Sequence, residues 1–545
     1  MQSAWRTLWQ VLITSALIVG AAGEQLPVQH LVAAGTIEGM RWPDFRDVRP
    51  AVQEFYSTDY KPAWLAGGQP TSQALAMIQI FGDAWKKGLE PEDYDASRWS
   101  VRLKALQRGT GDPAVFDVSL TVCTMRYVSA LRIGRINPKH LKFDLHVGRK
   151  QYDLAGFVRG SILSASDPSA ALDSIEPPFG TYRRTELALS RYVDLSRSDD
   201  GERLPTLAKA LDPGQEYADM PRLVRFLRLV GDLPSDAALP ANPRLYDGAV
   251  VEAVKRFQRR HGLDDDGRLG AATLKQLNVT PSDRVTQLQL TLERWRWLPE
   301  EFSAPPIIVN IPDFHLRALD QNNKIALEMR VVVGKAMSTE TPVFSRDMTY
   351  IVLRPYWNVP PGILRRSVIP AIKRNPNELT SKNYEITTLD GKVVTSGVVS
   401  DEVSAQLQAG KLAVRQKPGP NNALGLVKLM FPNEYSVYLH STPATELFSQ
   451  SRRDFSAGCI RVEKPAELTA WVLRNNPGWD LQRVQEGMQN GKDNVTVRLE
   501  RSVPVFIVYG TAIAEENDEV HFYDDIYGHD AKLKAVLAKG YPYPR

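Results

Sequence analysis

Cys459 is one of only two cysteines in 545 residues. It lies in the run SAGCIRV, Ser456 to Val462, downstream of a YLH tripeptide that ends at His440, with fifteen residues between His440 and Ser456. A thiol beside a glycine, with a histidine one loop upstream, is the minimum for a thiolate nucleophile and its base. A free thiol has a pKa of about 8.5, so near neutral pH it needs a base or a positive environment. His440 is the candidate base. Gly458 lets the backbone approach a substrate closely, and the N–H groups of Gly458 and Cys459 are candidate oxyanion donors. Arg461 can pair with a substrate carboxylate or favour the thiolate. Ser456 can orient His440 or a substrate amide. On residue types alone, a buried cysteine and a satisfied histidine compete with this reading. Cys123 illustrates that competitor: VSLTVCTMRYVSAL reads as a buried amphipathic helix, where a cysteine is a small hydrophobe. A Cys123–Cys459 bridge stays open.

The elements around the pair are strand-like. His440 closes YSVYLH, an alternating strand, and the polar STPATELFSQSRRDF is long enough to turn and return. From about 290 to 515, short β-rich runs such as IIVNIPDFHLRALD, IALEMRVVVGK and VPVFIVYG are separated by turn residues. Between about 361 and 416 sits a mixed insertion, helical at ILRRSVIPAIKRNP, with a hairpin signal at Asp390-Gly391. It is placed to cap a cleft. Upstream, residues 217–278 read as a compact three-helix unit. Leu223, Phe226, Leu227 and Val230 follow the helical apolar spacing, and Val250, Ala253, Val254 and Phe257 repeat it. Asp247 is a candidate N-cap, Asp266-Gly267 a turn, and Leu274 and Leu277 a third apolar face. Residues 40–205 look mainly helical, with Tyr56, Tyr60 and Trp64 as core aromatics, a helix from Ser72 to Trp85 stopping at Gly88, and another around Phe116 to Leu131.

The length implies several domains. Apolar content of 43% and charged content of 24% are those of a globular protein. The formal charge of +4 is small, with basic and acidic residues interleaved, so no nucleic-acid partner is expected. Residues 1–23 have a short positive start, an apolar stretch from Leu8 to Gly20 and a small-residue end at Ala21-Ala22-Gly23, the pattern of a cleaved signal peptide, with an uncleaved membrane anchor as the alternative. No later segment reads as apolar enough to span a membrane, so the mature chain is expected to be exported. His521, His529, Asp524 and Asp525 lie in a polar segment, 516–545, read as a solvated tail without metal-ligand spacing. Neither metal nor cofactor is expected.

His440, then Ser456-x-Gly458-Cys459 and Ile460-Arg461-Val462, resembles the signature of YkuD-type L,D-transpeptidases. Many members carry a second histidine before the Gly-Cys pair, where this chain has Ala457. Two further stretches, Val332 to Leu364 and Arg415 to Pro443, resemble the longer YcbB subgroup. YDGAVVEAVKRFQRRHGLDDDGRLGAATLKQLN, Tyr246 to Asn278, resembles peptidoglycan-binding domain 1. The resemblance implies an α+β multidomain protein: a helical N-terminal scaffold, a small three-helix peptidoglycan-binding-like domain, and a β-rich catalytic domain with a capping insertion. It implies that Cys459 attacks the carbonyl of the diaminopimelate L-centre in a donor tetrapeptide stem, with His440 moving the proton, to give 3→3 cross-links through a thioester. Trp357 and Tyr438 would line the donor cleft, with Arg461 and Ser441 as further substrate contacts. Water as acceptor would make an L,D-carboxypeptidase, and a lipoprotein lysine would make an anchoring enzyme. A catalytically silent wall-binding scaffold is the reading of another class. Kinship also implies acylation by carbapenems, a periplasmic location in a Gram-negative envelope, and peptidoglycan stem peptides as partners, with other cell-wall synthases as candidate protein partners.

Overall fold

Asp112 opens the most buried helix of the chain, Pro113–Arg132. Its carboxylate accepts hydrogen bonds from the Ala114 and Val115 N–H groups, and Pro113 presets the first turn. The computed structural model describes residues 27–145, 152–375 and 377–543; the expected signal peptide lies outside them. This helix is not amphipathic as expected. It is buried on every side, and its one acid, Asp117, is satisfied by the Tyr56 hydroxyl and the Ala63 and Trp64 N–H groups. It also has the length and hydropathy of a membrane span, against the expectation that no later segment does. Its apolarity serves the core, because 94% of the relevant window is buried inside the fold. Cys123 sits there, fully buried, and both cysteines are free. The helix Ser72–Gly82 runs into a tighter turn, Ala84–Lys87, which ends where Gly88 takes φ +68°.

The helices Met220–Leu229, Ala249–Arg260 and Ala271–Leu277 enclose a core of their own, with Leu223, Leu227, Val254, Phe257, Leu274 and Leu277 buried. Asp247 does not cap the second helix. Gly248 holds the cap position at φ +57°, and the Asp247 carboxylate accepts the Gly248 N–H instead. The unit is fastened to the rest of the chain. Lys275 and Gln276 both reach Asp524, and Arg260 reaches Tyr192 and the Val520 carbonyl.

The β-rich region supplies the remaining frame. Its strands, in chain order, are β1 (Ile307–Asn310), β2 (His315–Leu319), β3 (Ile325–Gly334), β4 (Phe344–Leu353), β5 (Trp357–Asn358), β6 (Tyr384–Thr388), β7 (Val393–Thr395), β8 (Leu412–Gln416), β9 (Val427–Met430), β10 (Leu439–His440), β11 (Asp454–Ser456), β12 (Ile460–Val462), β13 (Val495–Val508), β14 (Ala512–Ala514) and β15 (Val520–Phe522). Nine form one sheet in the order β11-β3-β12-β10-β9-β4-β13-β1-β2, and β2 pairs back onto β3. The long β3 makes this closure: Ile325–Arg330 pair with β2, and Val331–Gly334 pair with β12 and β11. The insertion carries its own sheet, β5-β8-β6-β7, around Leu364, Ile386 and Val414. Asp390-Gly391 turns β6 into β7, with Gly391 at φ +91°. These helical and sheet parts form the mixed architecture that the sequence predicts.

Residues after Glu515 are not a solvated tail. β15 pairs with β14, the helix His529–Leu537 packs on, and Leu533, Tyr541 and Tyr543 are buried. The acids that made the segment look polar are spent inside: Asp530 pairs with Arg294 at 2.5 Å and accepts the Thr511 hydroxyl, and Asp525 accepts the Tyr509 hydroxyl. No group of three or more metal-ligating side chains occurs among the described residues.

Candidate active site

Strand alternation decides which side chains meet. In β9, Val427 and Leu429 point into the core and Lys428 points the other way; in β12, Ile460 and Val462 are buried and Arg461 is partly exposed. β9 pairs antiparallel with β10, matching Lys428 to His440, and β10 pairs parallel with β12, matching His440 to Arg461. One row therefore reads Lys428, His440, Arg461. Tyr438 and Cys459 lie two residues before His440 and Arg461, just ahead of the two strands, and the Ile460 N–H bonds the Tyr438 carbonyl. Only Leu439 and His440 of YSVYLH form strand; Ser436 takes φ +56°, which breaks the expected run.

The loop before Cys459 is braced on both sides. Ser456 Oγ donates to the Cys459 carbonyl at 2.6 Å and accepts the Gly458 N–H at 3.1 Å. Ser456 is buried, so it orients the loop and not His440 or a substrate. The Gly458 N–H is thereby spent, which removes it from the expected oxyanion pair; the Cys459 N–H has no partner among the described residues. Gly458 stands at φ +119°, a conformation that favours glycine. Its carbonyl accepts Thr341 Oγ1, and that of Ser456 accepts Thr339 Oγ1, both at 2.8 Å. Ala457 is exposed beside them.

His440 is buried, and its Nδ1 meets the Ser441 carbonyl at 2.5 Å. A carbonyl only accepts, so Nδ1 carries the proton and Nε2 is the basic nitrogen. Burial pulls the imidazole down to about 3; the Ser441 carbonyl opposes this, and the Arg461 and Lys428 cations add to it. The ring is therefore neutral at rest. Ser441 is buried too, and its backbone holds His440, so it is not placed as a substrate contact. No hydrogen bond joins His440 to Cys459. The thiol donates instead to the Ser436 carbonyl at 3.6 Å, while the Tyr438 amide and hydroxyl lie against the sulfur. Burial pushes the thiol up, opposed by Tyr438, Lys428 and Arg461. Trp357 sits on β5 against Tyr384 with ring centroids 6.4 Å apart, half-buried in the insertion. Arg461 carries a buried Nε without a partner; Glu446 and Cys459 favour its charge.

Residues 305–497, which hold all of these side chains, match the family model described as an L,D-transpeptidase catalytic domain, YkuD. The chain carries a YkuD-type L,D-transpeptidase catalytic domain. Residues 222–277 match a "Putative peptidoglycan binding domain" and residues 50–189 a scaffold domain. A Haemophilus influenzae protein named "Putative L,D-transpeptidase" is 32% identical over 261 residues, covering 48% of this chain. The match spans 50% of that relative's length. L,D-transpeptidase structures from Xylanimonas cellulosilytica and Stackebrandtia nassauensis are each 13% identical, over 56% and 55% of this chain and 100% and 97% of theirs, with TM-scores of 0.16 and 0.20.

Three residues of the YkuD site went unread in the sequence. Lys428 looks like one more strand lysine. Asn422 and Gly425 build the turn that presses on His440: Asn422 Nδ2 donates to the carbonyls of Pro355, Gln416 and Lys417, and the Leu424 carbonyl faces the imidazole. An asparagine three residues before a glycine is a turn signal that pointed here.

Proposed function

We propose that this chain is a peptidoglycan L,D-transpeptidase working through a thioester on Cys459. Cys459 attacks the carbonyl of the diaminopimelate L-centre of a donor stem. The sulfur leaves the Ser436 carbonyl, gives its proton to His440 Nε2, and forms the C–S bond. The tetrahedral oxyanion is received by the Cys459 N–H. The imidazolium then protonates the departing D-amino acid as the C–N bond breaks. The amine of a second stem attacks the thioester and gives a proton to His440; the C–S bond breaks as the C–N bond forms, and His440 returns the proton to the departing Cys459 sulfur, leaving the 3→3 cross-link and the free thiol. Arg461 pairs with a stem carboxylate, Tyr438 walls the sulfur, and Trp357 lines the cleft under the insertion. The three-helix unit holds glycan or stem near the site, in the periplasm.

What supports this reading best is that a partly exposed free thiol and a neutral, carbonyl-oriented imidazole share one face of two paired strands within the matched domain. Intact-protein mass after incubation with a carbapenem tests it. One adduct is expected on the wild type and none on Cys459→Ala. An unmodified wild type, or an equal adduct on the variant, overturns it. Muropeptide analysis of stems treated with the enzyme then separates the acceptors: 3→3 dimers support transfer, and tripeptides alone support hydrolysis.

A further inference from the structure

Lys428 stands in the site without an acid. No carboxylate lies within ion-pair distance of it among the described residues, although seven arginines of the same domain have one, Arg317, Arg330, Arg346 and Arg354 among them. Its side chain leaves β9 on the face opposite the core and stands opposite His440. The ammonium lies 5.1 Å from the centroid of the Tyr438 ring, and the Tyr438 hydroxyl and amide lie against the Cys459 sulfur. A half-buried cation without an acid is costly unless something of opposite sign faces it. The electron-rich ring face supplies part of that compensation. Cys459, when ionised, is the group that favours the lysine's charge against its burial.

The groups facing the sulfur are Lys428 from β9, Tyr438 and His440 from the β10 segment, and Arg461 from β12, with Glu446 behind Arg461. His440 is neutral at rest and supplies no positive charge there. Arg461 faces both Glu446 and the sulfur, so its charge is shared. Lys428 stands opposite His440 and over the Tyr438 ring, and the sulfur is the ionisable group that favours its charge.

We propose that Lys428 is the cation that stabilises the Cys459 thiolate, acting across the Tyr438 ring as a positioning charge in place of a resting imidazolium. The proposal rests on the reading of Cys459 as the nucleophile. Lys428 exchanges no proton in the step: the thiol proton goes to His440, the thiolate forms the C–S bond, and the imidazolium proton goes to the leaving nitrogen as the C–N bond breaks. The same ammonium repels the imidazolium, which drives its proton on to the leaving amine and leaves His440 neutral again.

The test is the pH dependence of iodoacetamide alkylation at Cys459, read by peptide mass so that Cys123 does not contribute, on wild type, Lys428→Met, Lys428→Gln and Lys428→Arg. Loss of a neighbouring cation shifts a thiol by about one pH unit. The expected result is a midpoint raised by about that much in Lys428→Met and Lys428→Gln, about tenfold slower carbapenem acylation at neutral pH that recovers as the pH rises, and a near-wild-type midpoint in Lys428→Arg. Either neutral variant, melting like the wild type but alkylated at the wild-type midpoint, overturns the proposal. A wild type that alkylates at Cys459 but takes no carbapenem counts against the transpeptidase reading, and the alkylation midpoints still decide the role of Lys428.

Discussion

Gly425 faces Ser441 with no room between them: a methyl group on Gly425 would stand 2.6 Å from Ser441 Cβ and 2.7 Å from the Thr442 nitrogen. The turn that holds Gly425 and the strand end that holds His440 are thus one packed unit, and Ser441 is the residue whose carbonyl fixes the imidazole. Gly425 also stands at φ +61°, which an L side chain adopts at a cost.

Gly425→Ala is therefore expected to move Ser441 and rotate His440. The strain and overlap should cost about 1–3 kcal/mol of stability. A displacement of about 1 Å at a reacting group should slow carbapenem acylation about 100-fold. Iodoacetamide, which needs no base aligned with a substrate, should still label Cys459. Thermal melts, adduct kinetics and alkylation check the three parts, and unchanged acylation would show that His440 does not depend on this contact.

Three histidines are held neutral, His440 and His261 buried and His529 half-buried: His440 at about 3, His529 at about 4, and His261 well below its ordinary range, each chiefly by loss of solvent. Their native values lie below the unfolded value of about 6.5. The unfolded chain takes up protons as the pH falls below 6.5 while the native chain does not, so their contribution is present above 6.5 and is lost on acidification. Each loses about 1.4 kcal/mol per pH unit once inside the window. Glu176 works the other way: burial and Glu186 raise it to about 7, so its contribution grows as the pH falls from 7. Three groups against one leave a net loss of about 1–3 kcal/mol per pH unit between pH 6 and 5. Denaturant titrations across that range should show it; a flat profile would mean that the histidines are not held neutral.

The reach of the sequence varied with what each part depends on. Cys459, His440 and Arg461 were singled out by residue type and spacing, and Tyr438 only through the resemblance; that the four share one face follows from the parallel pairing of β10 with β12, which spacing alone does not give. The roles of Ser456 and Ser441 were not legible, because both act through backbone groups: Ser456 spends its hydroxyl on the Cys459 carbonyl and Gly458 N–H, and Ser441 offers its carbonyl. Residue type says nothing about which main-chain atom a loop will expose. Lys428 needed the register of β9 against β10, which depends on the turn that Asn433 builds between them. The segment after Glu515 misled because Asp525 and Asp530 were counted as solvated, whereas Tyr509 and Arg294 take them into the core.

Ser456→Ala should test the brace under Cys459. The substitution leaves the buried Gly458 N–H without its acceptor and the Cys459 carbonyl without its donor. An orphaned buried polar group costs about 1–3 kcal/mol, so the melting temperature should fall by several degrees or less in a chain of this size. Acylation should slow about tenfold, because the Cys459 N–H loses its fixed direction. If acylation and melting both match the wild type, the hydroxyl does not brace the loop.

Tyr527 links the C-terminal segment to the same loop. Its hydroxyl donates to the Gly334 carbonyl and accepts the Thr341 N–H at 3.3 Å. Gly334 in turn donates to Thr341 Oγ1, which donates to the Gly458 carbonyl, each at 2.8 Å. Tyr527→Phe keeps the ring and removes only the hydroxyl, so it should cost about 1–3 kcal/mol and loosen Gly458. Deleting residues 517–545 is a harsher change: it strips Asp530 from Arg294, and an uncompensated buried guanidinium costs about 3–5 kcal/mol on top of the exposed core around Leu533 and Tyr541. The truncated chain should be insoluble, while Tyr527→Phe should be folded, less stable, and several-fold slower in acylation. A soluble truncation with wild-type acylation would return these residues to the status of a tail.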